Sequence, residues 1–189
     1  CAMSLSQGLF LYFGSLIMVI VLSFFAINYY IVQQSLSQRA KNDLRHLLES
    51  TDIAVENFLD TTIRNYLRSL VDQNLIVLSE LDRKVTAGMM TRQAAQEAFQ
   101  AHVMAQKIGD GGYIVALRPE GPKILIDIHP FARGTDCAFN QGCRDWIRFQ
   151  NGYNEYDWQN PADDHIRKKV GYFRAFKPWN WVVGATLYK

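Results

Sequence analysis

The order of apolar and polar residues sets the first part of the chain apart. No charged side chain occurs before Arg39, and residues 9–32 (LFLYFGSLIMVIVLSFFAINYYIV) are apolar apart from four small or polar positions. At about 1.5 Å per residue, a helix of this length crosses the roughly 30 Å hydrocarbon layer of a membrane. The run exceeds the core of a secretory signal peptide and lacks its small-residue cleavage site. We therefore predict a retained membrane-spanning helix over residues 9–32.

A helical pattern continues beyond this span. Between Ser15 and Ala87 the sequence has neither Gly nor Pro. It predicts a long amphipathic helix over residues 33–78, with apolar positions at helical intervals: Leu44, Leu47, Leu48, Val55, Phe58, Leu59, Leu67 and Leu70. One small domain cannot cover the whole stripe, so we expect the same helix of a second copy to cover the rest in a homodimer. The alternative is a helix that bends and packs entirely on its own domain.

A helical hairpin is predicted next. Its first helix covers residues 75–86, the break falls at Gly88, and Thr91 is the expected N-cap of a helix over residues 92–106. The composition changes after Ile108, where nine of the twelve glycines, all five prolines and all four tryptophans are found. Short runs of β-branched and aromatic residues separated by turn residues predict strands. They cover residues 113–117, 123–129, 155–158, 167–176 and 181–187, with a short helix at 144–149.

These elements predict an α+β fold, in which helices cover an antiparallel sheet of five to six strands. We divide the chain into a short cytoplasmic tail or non-native remnant (1–8), the span (9–32) and one domain (33–189). That domain has a helical part (33–106) and a sheet part (107–189). The net charge of +2 and the interspersed charges argue against nucleic acid as a partner. No phosphate-binding glycine motif is present, and we expect no cofactor.

The two cysteines of the soluble part suggest a compartment. Cys137 and Cys143, in CAFNQGC, are spaced to close a tight loop, which in an oxidising compartment would be a disulfide. Two free buried thiols are the alternative, and no second Cys or His pair stands at zinc-ligand spacing. Arg39, Lys41 and Arg45 after the span would alone favour the cytoplasm. We nevertheless expect the domain to lie outside the inner membrane, in the periplasm or extracellular space.

Several segments, in this order and spacing, resemble a known family: the anchor and long helix, TAGMMTRQAAQEAFQAHV, GDGGYIVAL, IDIHP, YDWQNP and KVGYFRAFKPWNWVVGATLY. They are similar to the single Cache domains, PAS-like extracytoplasmic sensors of bacterial transmembrane receptors. Such receptors include methyl-accepting chemotaxis proteins, sensor histidine kinases and diguanylate cyclases. The resemblance implies a dimeric signal-transduction module that binds a small organic acid or similar metabolite. A second membrane helix and a kinase or cyclase domain could then follow Lys189.

A carboxylate that enters such a site exchanges water for fixed donors. Two aromatic residues that share a strand face, Tyr156 and Trp158, could enclose its apolar part. Lys169 and Tyr172 are three apart, so both can face one pocket only if a bulge forms near Gly171. The candidate ligand-binding residues are His129, Arg133, Tyr156, Trp158, Lys169 and Tyr172.

Four of these candidate ligand-binding residues could instead have ordinary structural roles. His129 before Pro130 could be a turn residue with a satisfied ring, and Lys169 could be a solvated partner of an acid at 163–164. Tyr156 and Trp158 could be core residues.

Two other classes of function remain open. The first is a membrane-anchored interaction module that binds a partner protein without a small ligand. The second is an anchored hydrolase, which would need a nucleophile and a base that the sequence does not place together. We expect this chain to be non-catalytic.

Overall fold

The computed structural model describes residues 5–161 and 163–189, and it divides into two compact units. The first unit ends at Asn57 and the second runs from Phe58 to Lys189. Helix α1 (Leu5–Thr86) begins in the first and ends in the second. It continues to Thr86 because the sequence has no Gly or Pro between Ser15 and Gly88, so the expected separate helix over residues 75–86 is part of α1.

The first unit consists of α1 alone. Within the described residues, one helix is long and apolar enough to cross a membrane, by length and composition, and its apolar window is not buried by other residues. Its polar side chains bond to the helix backbone: Ser23 Oγ donates to the carbonyl of Val19 at 2.8 Å, and Asn28 Nδ2 donates to that of Phe24 at 2.8 Å. A span needs such internal partners because the hydrocarbon layer offers none.

The second unit is an α+β domain with one five-stranded antiparallel sheet, in the order β2-β1-β5-β4-β3. This confirms the predicted fold class. Thr91 is the N-cap of α2, as predicted, and its hydroxyl accepts from the amide of Ala94 at 3.1 Å. The elements after α1 are α2 (Arg92–Met104), β1 (Tyr113–Glu120), β2 (Lys123–Ile128), α3 (Gln141–Phe149), β3 (Asn151–Trp158), β4 (Arg167–Phe176), a 3₁₀ turn (Lys177–Trp179) and β5 (Trp181–Tyr188).

One face of the sheet packs against α1 and α2. The buried core on this side includes Leu67, Leu78 and Phe99 from the helices and Trp179 and Trp181 from the sheet end. The burial of large apolar side chains is the main favourable contribution, at about 1.5–3 kcal/mol each.

Acidic residues of α1 hold this face in register. Asp60 accepts from the hydroxyl of Tyr153 at 2.8 Å, and Asp72 accepts from Arg174 at 2.6 Å. Asp82 accepts from Nε1 of Trp179 at 2.6 Å. Because each bond joins α1 to a different part of the β3-β4-β5 sheet, the helix cannot slide along it without breaking all three.

The opposite face carries α3. The indole of Trp146 stacks on the ring of Phe173, with centroids 5.0 Å apart and planes 17° apart. It lies over Gly171 of β4 and Gly184 of β5, where a Cβ atom would overlap the indole. Glycine at these two strand positions therefore opens the space that seats α3 on the sheet.

We expect Gly184→Ala to displace Trp146, because the added methyl occupies the position of the indole in a central strand. Overpacking of this kind lowers the free energy of unfolding by about 1–3 kcal/mol. Thermal unfolding followed by circular dichroism would show it as a lower Tm. Gly14→Ala is the control for an added methyl group, since no atom lies within 4 Å of a Cβ at that position. Equal Tm values for the two variants would show that Trp146 does not need the glycine surface.

Candidate functional site

A small cavity of about 20 Å³ lies between α3 and the sheet. This is room for few atoms, since about 10–15 Å³ by the same measure holds one water molecule. Its walls are mostly apolar, and polar groups contribute little of the surface. The cavity is lined by Tyr113, Val115, Leu117, Ile126, His129, Gly142, Cys143, Trp146, Tyr156 and Trp158.

The end of β2 supplies His129, whose ring is fixed by the backbone of the next turn. Nδ1 accepts from the amides of Phe131 and Ala132, both at 3.0 Å. A neutral imidazole with Nδ1 as acceptor carries its proton on Nε2. Burial and the nearby Lys169 lower the pKa of His129 to about 3, so the ring stays neutral at physiological pH. The side chain can therefore offer the cavity one Nε2–H donor and no charge.

Asn160, just after β3, connects the cavity walls to the end of β5. Its Oδ1 accepts from the hydroxyl of Tyr113 at 3.0 Å and from Nε1 of Trp158 at 2.9 Å. Its Nδ2 donates to the hydroxyl of Tyr188 at 2.6 Å and to Asp163 at 3.1 Å. Asn160 is 6% exposed, so these bonds satisfy polar groups that water does not reach.

Lys169 is the fully buried cation of the domain, at 0% exposure among the described residues. Its Nζ donates to Thr186 Oγ1 at 3.2 Å and lies 3.4 Å from the centroid of the Tyr113 ring and 4.5 Å from that of Tyr188. Burial lowers the pKa of Lys169 to about 6. The role of a solvated partner belongs to its neighbour Lys168, which is exposed and pairs with Asp157 at 3.2 Å.

The α3 wall is fixed at its N-terminus. The structure joins Cys137 and Cys143 in a disulfide, which ties the loop after β2 to the first turn of α3. Asn140 is the N-cap, and its Oδ1 accepts from the amide of Gly142 at 2.8 Å. A Cβ at Gly142 would lie 2.6 Å from the Tyr156 ring, so glycine here permits the helix to approach the cavity wall closely.

The structure brings three of the six sequence-predicted site residues to the cavity: His129, Tyr156 and Trp158. Lys169 does not line the cavity. Its Nζ contacts the ring of Tyr113, which is itself a cavity wall. The alternative that Lys169 is a solvated side chain is wrong, because Lys169 is fully buried on the covered face of β4.

Two of the predicted site residues, Arg133 and Tyr172, do not line the cavity. Arg133 lines a different depression, beside Arg118 and Asp127, and its Nε donates to the carbonyl of Asp127 at 3.1 Å. The pairing of β4 with both neighbours is continuous, so the bulge that Tyr172 required near Gly171 is not formed. Tyr172 therefore faces the α1 side, where its hydroxyl donates to Asn151 at 3.2 Å.

Sequence reasoning missed Tyr113, Trp146 and Asn160. The alternation of Tyr113, Val115 and Leu117 was a usable signal for one strand face, since all three line the cavity. Asn160 stands before Pro161, a pair typical of a turn, so its sequence context gives no signal of a buried amide. Among the described residues, no group of three or more His, Cys, Asp or Glu side chains is placed to hold a metal ion.

Comparison with known proteins identifies the sheet part. Residues 103–189 match the family model dCache_2, a Cache domain. Methyl-accepting chemotaxis protein McpP of Pseudomonas putida is 27% identical over 131 residues, which cover 64% of this chain and 24% of McpP. The chain thus spans about a quarter of the curated relative that it matches.

Solved structures share the fold. One is described as the structural basis for carboxylic acid recognition by a Cache chemosensory domain; it has a TM-score of 0.58 at 22% identity and covers 69% of this chain and 95% of its own. A periplasmic sensor domain of a chemotaxis protein has a TM-score of 0.57 at 19% identity, with 68% and 96% covered. A methyl-accepting chemotaxis protein from Vibrio parahaemolyticus has a TM-score of 0.52 at 20% identity, with 69% and 90% covered.

We expect Asn160→Ala to destabilise the domain and loosen the cavity walls. The change leaves Tyr113 and Trp158 without their acceptor, and an unsatisfied buried donor costs about 1–3 kcal/mol. Thermal unfolding should show a lower Tm, and near-UV circular dichroism should show a changed aromatic signal. Gln159→Ala, which removes an exposed amide bonded to the carbonyl of Asp163, is the matched control. An Asn160→Ala variant as stable as this control would contradict the assigned role.

Proposed function

Since residues 103–189 of this chain form a Cache domain, we propose that the chain is the ligand-sensing part of a transmembrane signal-transduction receptor and that its ligand is a short carboxylic acid. The observation that carries the proposal is the small, mostly apolar cavity beside a buried lysine. Small-molecule sites in proteins are concave and mostly apolar, with a few fixed polar groups that orient the ligand.

The geometry of the cavity favours a short acid. Its volume of about 20 Å³ disfavours large ligands, and its apolar walls suit a methyl or ethyl group. His129 supplies a neutral N–H donor. Lys169 supplies an amine whose protonated, positively charged form is favoured by a nearby anion. A second carboxylate would have no further cation beside the cavity lining, so the arrangement favours monocarboxylates over dicarboxylates.

The relatives support the same class of ligand and receptor. A structural neighbour is described as recognising a carboxylic acid, and the curated relative is a methyl-accepting chemotaxis protein. A chemoreceptor, a sensor histidine kinase or a diguanylate cyclase could each carry a sensor of this kind.

We further propose that the domain lies in the periplasm or extracellular space, anchored to the inner membrane through residues 9–32. The apolar run of α1 and the described periplasmic neighbour support this placement. The disulfide between Cys137 and Cys143 supports it as well, because disulfides persist in oxidising compartments.

A thermal-shift screen of the full chain in detergent tests the ligand, with acetate, propionate, lactate, pyruvate and small dicarboxylates as probes. A ligand present at a hundredfold excess over its Kd stabilises the folded state by about 2.7 kcal/mol, so Tm should rise by several degrees. Lys169→Met should abolish the shift, because it removes the cation and keeps a side chain of similar length. Lys168→Met, at an exposed pair, should keep it.

The screen separates the classes of function. Equal shifts in the wild type and Lys169→Met would show that the carboxylate does not use Lys169. A domain that no acid stabilises would favour an anchored module that binds a partner protein.

We also propose that the receptor is a homodimer through the exposed stripe of α1. Leu44, Leu48 and Phe58 are 58%, 58% and 70% exposed. The packing of the helix against its own domain begins beyond them, at Ile63 and Leu67. A second copy in the same membrane offers an identical apolar face, and anchoring raises its effective concentration.

Leu48→Glu should weaken this dimer at least tenfold, because a symmetric interface buries two such leucines and each contributes about 1.5–3 kcal/mol. Fluorescence energy transfer between labelled full-length chains in lipid vesicles measures the dimer. Asn57→Glu is the control, since nine residues at 100° per residue place it on the opposite side of the helix. Wild-type chains that stay monomeric in vesicles would contradict the proposal.

A further inference from the structure

The burial of Lys169 creates an unusual charge environment beside the cavity. Among the ion pairs of residues 5–161 and 163–189, none includes Lys169. The surroundings of its Nζ are the hydroxyl of Thr186 and the faces of Tyr113 and Tyr188. A ring face attracts a cation, but it does not replace the hydration that burial removes.

Burial and two nearby charged residues act on the protonation of this amine in opposite directions. Asp163 favours the charged form, whereas burial, the largest effect, and Arg167 disfavour it. The buried tyrosines do not supply an anion, because burial raises the pKa values of Tyr113, Tyr156 and Tyr188. The titratable and charged groups around Lys169 are Tyr113 of β1, His129 after β2, Tyr156 of β3, Arg167 of β4, Tyr188 of β5 and Asp163 of the loop before β4.

Two observations tie Lys169 to the cavity. The ring of Tyr113 forms part of the cavity wall and also lies 3.4 Å from the lysine Nζ. His129, another wall residue, is sensitive to the charge on Lys169, which lowers its pKa. An anion in the cavity would therefore favour the charged form of the amine through the same low-dielectric interior.

We propose that the domain takes up one proton on Lys169 with each short carboxylate that it binds, so that it senses the anion and the proton together. This inference rests on the proposed function. The proton comes from the solvent: the neutral amine becomes an ammonium as the carboxylate enters, and no covalent bond other than the new N–H forms. At a fixed total concentration of acid, occupancy of the receptor rises as the external pH falls.

Isothermal titration of the full chain in detergent with acetate and with propionate measures this linkage. Titrations at pH 6, 7 and 8 in two buffers of different ionisation enthalpy give the number of protons taken up. With a free-state pKa of about 6, we expect close to one proton at pH 8 and about half a proton at pH 6. The Kd should rise about tenfold from pH 7 to pH 8, because the charged fraction of the free site falls by that factor.

Two variants assign the proton. His129→Gln should keep the proton uptake even where affinity falls, whereas uptake lost in this variant would identify His129 as the carrier and overturn the inference. Lys168→Met, at the exposed neighbour, should behave as the wild type. A Kd that does not change with pH would overturn the inference and leave the carboxylate proposal standing. No binding of either acid at any pH would overturn both.

A measurement without ligand gives an independent test. The pKa of Lys169 is lower in the folded state than in the unfolded state, so between pH 6 and about 10 the unfolded chain binds more protons. Lys169 therefore makes the folded state less stable as the pH falls through this window. The Tm of Lys169→Met should exceed that of the wild type by a margin that grows from pH 9 to pH 6. A margin that does not change with pH would show that Lys169 keeps its charge in the free domain, and would overturn the inference.

Discussion

The placement of Trp146 on the glycine surface of β4 and β5 determines the side of the domain that contains the cavity. A sheet face of ordinary side chains holds a helix farther away, but Gly171 and Gly184 let the indole lie directly on the backbone. Because Trp146 belongs to α3, this contact sets the height of the helix above the sheet. The cavity is the gap that remains where α3 meets the side chains of β1 and β2. Its small size is thus a consequence of the close packing of α3 on the sheet.

Polar groups beside the cavity are removed from water, so each needs a hydrogen-bond partner or must stay uncharged. His129 is tolerated because two backbone amides use its Nδ1 and burial keeps the ring neutral. Asn160 is tolerated because both ends of its amide are bonded. Lys169 differs from both, since aromatic faces and one hydroxyl are its surroundings. A buried group that lowers stability without ligand is typical of a functional position, where stability and function conflict.

The sequence predicted the elements better than the site, for a physical reason. Hydrophobic period and turn residues are local, so strand β4 and the Thr91 cap were found at their observed positions. The alternation along β4 also separates Lys169 from Tyr172. It does not reveal which face is covered, because that depends on α3 and on the distant glycines that seat Trp146. The position of Arg133 could not be predicted for a similar reason. It depends on the path of the loop after β2, which places the side chain beside Asp127 and away from the cavity.

The contacts of Asn160 connect the cavity walls to the end of β5, so an occupied cavity could act on that strand. Tyr113 and Trp158 form cavity walls, and Tyr188 lies at the end of β5; all three bond to this one amide. A ligand changes an equilibrium between two conformations only by its different affinity for them. Under the proposed proton uptake, charging Lys169 would strengthen its interaction with the faces of both Tyr113 and Tyr188, so the bound and free states would differ in the forces on β5. In the proposed mechanism the proton and the ligand would thus act on the same two rings, and one of these, Tyr188, belongs to β5, a strand of the sheet that also packs against α1 and α2.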